Sequence, residues 1–135
     1  MDWKLELVVV PVADQDVAKG FYLDSLGFDL IVDHRAGADF RVVQVVPPGS
    51  ACAVALMHNA EAAGTLQGLH LVVEDIDRAR DELLARGAAP GPLIHFVEGR
   101  PEEGADPERR DYNTFFEISD ADGNGWMVQE VGHRS

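Results

Sequence analysis

Residues 68–84 read GLHLVVEDIDRARDELL, and the same design already stands at residues 7–23 as LVVVPVADQDVAKGFYL. With the two aligned, Val12 meets Val73, Asp14 meets Asp75, Asp16 meets Asp77 and Ala18 meets Ala79. Each copy is an apolar, β-branched run, then an aspartate, then a helical pattern. The aspartate is placed to accept hydrogen bonds from the free N–H groups of a first helical turn. In the second copy Ile76, Ala79 and Leu83 share one helical face, with Arg78, Arg80, Asp81 and Glu82 largely outside it. A glycine closes each helix, Gly27 after Leu26 and Gly87 after Arg86. Self-similarity at a fixed spacing marks a repeated architecture.

Three strand-like runs follow each helix. In the first half they are DLIVDH (29–34), FRVVQVV (40–46) and ACAVALM (51–57), and in the second PLIHFVE (92–98), YNTFFEIS (112–119) and WMVQEV (126–131). Breaks fall at residues 36–39, at Pro47-Pro48-Gly49, in the polar segment 99–111 and in DADGNG (120–125). The last resembles a calcium loop in its Asp120, Asp122 and Asn124, but the twelfth position, which needs a bidentate carboxylate, is Val131. Its flanks are strand-like where a calcium loop has helices, so Asp122-Gly123 and Asn124-Gly125 read as a β-hairpin turn. Segment 99–111, GRPEEGADPERRD, has no periodicity and reads as a solvated loop or a lid. The expectation is one α+β domain over 1–135, made of two tandem βαβββ modules, 1–58 and 66–133. Their curved mixed sheets enclose a ligand cavity, with the helices outside.

The formal net charge of −13 disfavours nucleic acid and anionic membranes as partners, since both need a basic face. It suits a solvated surface or the attraction of a cationic ligand. Cys52, the one cysteine, lies in an apolar run and reads as a buried inert thiol. The N-terminus has no signal-peptide pattern and no run is long enough to span a bilayer, so a cytoplasmic setting is expected.

Pro11–Phe28, with P-V-A-D-x-D followed by F-Y-x-x-x-L-G-F, resembles the vicinal oxygen chelate superfamily, which includes glyoxalase, bleomycin resistance and extradiol dioxygenase proteins. Val73–Ala79 (VEDIDRA) and Asp120–Glu130 (DADGNGWMVQE) look like the matching signatures of the second half. The resemblance implies homodimers and, in catalytic members, a divalent metal held by His, Glu or Gln on the first and last strands of each module. Carried over by position, the ligands land on Leu7, Gly68 and Met127, while ACAVALM offers no carboxylate, imidazole or amide. None of these holds a hard divalent ion.

Positions two residues away keep the same strand face, which gathers His70 with Gly68 and Gln129 with Met127. Glu117 and Phe115 share a face on the preceding strand. His70, Glu117 and Gln129 are expected as a polar group in one cavity, with Met127, Phe115 and Tyr112 as walls; Trp126, on the face opposite Met127, packs a helix. His34, His58 and His95 read as surface or packing residues. Two functions compete. One is metal-independent binding of a small aromatic or cationic, antibiotic-like molecule, without cofactor. The other is a lyase, isomerase or ring-cleaving dioxygenase whose metal sits on a displaced set such as His70, Glu117 and Gln129.

Overall fold

The computed structural model describes residues 1–134, which divide into two compact units. The first comprises Met1–Leu66 together with Asp120–Asn124, and the second Gln67–Ser119 and the chain from Gly125 onward.

In the first unit β1 (Leu7–Val12) leads to α1 (Gln15–Gly20), a π-helical turn (Phe21–Ser25), β2 (Asp29–Ala36), β3 (Phe40–Val46) and β4 (Ala53–His58). The sheet order is β1-β4-β3-β2, with β1 parallel to β4 and the other pairs antiparallel. Val10, Val12, Val43, Val45, Val54 and Leu56 are buried alongside Ala18, Tyr22 and Phe28. A six-residue helix is too short to persist alone, and specific bonds hold this one. Asp14 caps it by accepting from the N–H groups of Asp16 and Val17. The Gln15 carboxamide donates to the carbonyls of Arg41 and Leu56 at 2.9 and 2.8 Å. Arg41 donates to both Asp33 and Asp16, and Lys19 to Asp33. Hydrogen bonds from Arg41 and then Lys19 hold the Asp33 carboxyl well below the usual carboxylate range.

The turn at 120–124 packs within this first unit. Asp120, 6% exposed, accepts from the Tyr22 hydroxyl at 2.8 Å, from the Asn124 carboxamide and from two N–H groups of the turn itself. Asn124, fully buried, also donates to the Pro11 carbonyl and accepts from the Leu66 N–H. The carboxylate that resembled a calcium ligand is therefore occupied as a hydrogen-bond acceptor. Gly64 passes close enough that a Cβ there would overlap the Asp122 carbonyl oxygen.

The second unit contains β5 (Leu69–Val73), α2 (Ile76–Ala85), β6 (Ile94–Val97), β7 (Arg100–Glu103), β8 (Phe115–Ser119) and β9 (Gly125–Glu130), in the sheet order β5-β9-β8-β6-β7. Asp75 caps α2 through the Arg78 N–H, as the repeat predicts, and both Gly27 and Gly87 adopt positive φ. Ile76, Phe116 and Val128 form the core of this unit, with Leu71, Val73, Leu83 and Leu93 against it. Strand β7 corrects the reading of 99–111 as wholly loop: Glu98 (φ 50) and Gly99 (φ 79) make a two-residue hairpin turn with both centres left-handed, and Val97 pairs with Arg100. The run expected from Tyr112 becomes a strand only at Phe115. Residues 105–113 instead wrap around the buried Asp106, which accepts from the N–H groups of Glu108 and Arg110 and from Asn113. Burial pushes the Asp106 carboxyl up, but those bonds and the Arg110 charge outweigh it and hold the group low.

Two outcomes follow. Gly64→Ala combines left-handed strain (φ 83) with the overlap on Asp122, whereas Gly37→Ala (φ 76) meets open space. Urea unfolding should show Gly37→Ala costing about 1 kcal/mol and Gly64→Ala at least about 2 kcal/mol more. Because the folded pKa of Asp33 lies below the unfolded value of about 3.9, its contribution is complete above that pH and is lost as pH falls below it. Asp33→Asn should therefore lower the urea midpoint at neutral pH and flatten its decline below about pH 4.

Candidate functional site

Parallel pairing of β5 with β9, and antiparallel pairing of β9 with β8, set side chains from three strands in rows. His70 lies opposite Met127, and Met127 opposite Glu117. In the next row Val72 lies opposite Gln129, and Gln129 opposite Phe115. Strand alternation sends all six to one face. The other face carries Phe116, Ile118, Trp126, Val128 and Glu130, all buried. The face away from the α2 core is thus half open, with Val72 60% exposed, and Phe96 meets Phe115 edge-on at a ring separation of 5.5 Å.

A cavity of about 240 Å³ opens on this face, lined by Gln67, Gly68, His70, Glu117, Ser119, Gly125 and Met127, with Ile118 and Trp126 behind. Gln67, Gly68, Ser119 and Gly125 flank the His70–Met127–Glu117 row; Phe115 and Gln129 stand in the adjoining row, outside the lining. His70 Nδ1 is 2.7 Å from the Gly68 carbonyl oxygen. A carbonyl can only accept, so Nδ1 carries the proton, and in that tautomer Nε2 is the ring's acceptor. Tyr112 does not join the cavity. It is 63% exposed at φ 63, where its N–H donates to the Glu130 carbonyl. Ser119 was legible by its parity with Glu117. Gln67 was not, because its carboxamide reaches Gly125 from outside the strand.

The donor set does not fit the divalent metal that the fold family implies. Gly68 has no side chain and sits at φ 84, where histidine or glutamate would be strained. Leu7 and Met127 add an alkyl chain and a thioether, and hard divalent ions prefer oxygen and imidazole donors. Among the described residues, Asp75, Asp77 and Glu130 bring carboxylate oxygens within 4.8 Å of one another, but Glu130 belongs to the opposite face. There Glu130, 1% exposed, accepts from the Ile76 N–H at 3.0 Å, and Arg109 bridges it to Asp77. Hydrogen bonding, to Asp77 first and to Glu130 after burial is set against it, raises the Arg109 pKa. Arg109 thus already occupies two of the three carboxylates, and Glu130 anchors the start of α2. Its role escaped the sequence reading, since Arg109 lies in the irregular segment. His34 and His58 are exposed, and His95 is buried with Nδ1 2.9 Å from the Gly104 carbonyl.

A family model described as Glyoxalase/Bleomycin resistance protein/Dioxygenase superfamily matches residues 4–128. The uncharacterized protein YetH of Bacillus subtilis (strain 168) is 27% identical over 126 residues, 91% of this chain and 94% of its own. Among solved structures, the chain is similar to TnmS3, an antibiotic binding protein from Streptomyces sp. CB03234, at 30% identity and a TM-score of 0.73, over 96% of both chains. A superfamily member from Sphaerobacter thermophilus DSM 20745 gives 27% identity and a TM-score of 0.72, over 96% of this chain and 98% of that one.

The two carboxylates separate cleanly by role. Arg109→Met leaves Glu130 buried without its cation and should cost about 3 kcal/mol in chemical denaturation. Glu117→Gln, on the open face, should change stability by no more than about 0.5 kcal/mol in the same assay.

Proposed function

The chain belongs to the glyoxalase/bleomycin resistance protein/dioxygenase superfamily, and on that footing we propose that it is a binding protein. It takes up a small aromatic or cationic, antibiotic-like molecule on the open face of β5, β9 and β8, without a metal. The observation that carries this reading is the row His70–Met127–Glu117. It puts a thioether at the centre of the cavity, with one imidazole acceptor and one carboxylate beside it. Such a set suits an organic ligand: Met127 and Phe115 supply adaptable apolar contact, and the polar groups orient what lies on them. Glu117 is a counter-charge for a cation, and the net charge of −13 draws one in. TnmS3, whose description is antibiotic binding, supports the same class of ligand.

The test is a thermal-shift screen of aromatic and cationic antibiotics, followed by calorimetry on the best binder. For a cationic ligand, Glu117→Gln should weaken affinity roughly 10- to 100-fold, the worth of one charge-assisted hydrogen bond. Elemental analysis of protein purified without nickel runs beside it. Stoichiometric metal that disappears in His70→Ala would contradict the reading and return the protein to its metal-dependent relatives.

A further inference from the structure

Beyond the His70–Met127–Glu117 row the open face loses its side chains. Gly68 stands just before β5, and Gly125 opens β9, where it lies opposite Ser119. Gly125 has the parity of Met127, so a side chain there would point into the cavity. Its backbone does not demand glycine, because its φ is not left-handed. What demands glycine is Gln67: a Cβ on Gly125 would overlap the Gln67 Oε1. The Gln67 carboxamide therefore lies in space that a side chain of β9 would otherwise fill, at the glycine end of the cavity.

Resting on the binding reading above, we propose that Gln67 is the specificity-determining residue of this cavity. Laid over Gly125, its carboxamide selects a ligand whose ammonium group has a hydroxyl close by. Glu117 and Ser119 are two residues apart on β8, so the charged row and the glycine row lie about 6.5–7 Å apart. A ligand held by its cation on Glu117 reaches the glycine row with a group only a few bonds further on. The atoms it meets there are polar: a carboxamide with N–H donors and an acceptor oxygen, and the Ser119 hydroxyl. An apolar group at that point would displace water from them and return no hydrogen bond, whereas a hydroxyl returns one. The apolar body of the ligand runs the other way, onto the row of Val72, Gln129 and Phe115. The chemical class is an amino alcohol carrying an aromatic body.

Phenethylamine and phenylethanolamine differ by that one hydroxyl and serve as the probes. Their affinities for the full chain are read from the Met127 methyl resonance. The wild type should bind phenylethanolamine roughly 3- to 10-fold tighter than phenethylamine, the worth of one neutral hydrogen bond. Gln67→Ala removes the carboxamide and Gly125→Ala displaces it, so either should bring that ratio to about one. The double variant should match the single ones, because both act on one group. Gln67 is exposed, so its truncation leaves the fold in place and carries the test even where Gly125→Ala disturbs β9. A wild type indifferent to the hydroxyl, or a preference that survives Gln67→Ala, would overturn the assignment and leave the binding reading standing. If neither amine moves the resonance, or if Glu117→Gln leaves both affinities as they were, the binding reading falls and this assignment falls with it.

Discussion

The open face depends on the turn between β8 and β9. Asp120 and Asn124 are buried polar groups, and leaving either unsatisfied would cost on the order of 1–3 kcal/mol. Each is saturated by the turn's own N–H groups and by Tyr22, Pro11 and Leu66. With the turn held, Ser119 is obliged to face Gly125, Glu117 to face Met127, and Phe115 to face Gln129. A slip of one residue would send Met127 and Glu117 into the α2 core and bring Val128 and Ile118 to the cavity. The motif that looked like a metal loop thus works as a register clamp for the strands that follow and precede it.

From that register the chemistry of the face follows. One scaffold hosts many reactions, and its function is set by the few side chains presented at one place. Here Gly68 and Met127, onto which the family resemblance carries two metal-ligand positions, offer no hard donor. The ionisable groups of the cavity, His70 and Glu117, are separated by the thioether. What is left is a half-open wall in which an imidazole, a carboxylate, a carboxamide and a hydroxyl surround a thioether, a set suited to recognition. Glu130, a buried acid of the unit, faces the opposite side, where it and Arg109 secure the first turn of α2.

Much of this was legible in the sequence, and the reason is local chemistry. The helix caps at Asp14 and Asp75, the terminating glycines and the Asx-Gly turn each need only neighbouring residues, and strand alternation alone placed His70, Met127, Glu117, Phe115 and Gln129 on common faces. Elements that depend on distant partners were not legible. The bond from Tyr22 to Asp120 spans most of the chain, and the turn's membership in the first unit follows from such bonds. Strand β7 was hidden because Arg100–Glu103 is polar on both faces and carries a proline, features of an edge strand that periodicity does not register. Tyr112 was misplaced because the fold of 105–113 around Asp106 forces it into a left-handed, outward position.

The central claim is that Met127 sits in a metal-free recognition site, and its methyl group can report on that directly. The protein has three methionines, so ¹³C-methyl labelling gives a resolved spectrum to titrate with Mn²⁺ and with the strongest binder from the antibiotic screen. The Met127 methyl resonance should shift on adding the organic ligand and stay sharp at one equivalent of Mn²⁺. Paramagnetic broadening of that resonance at one equivalent, abolished by His70→Ala, would contradict the account and place a metal beside Met127.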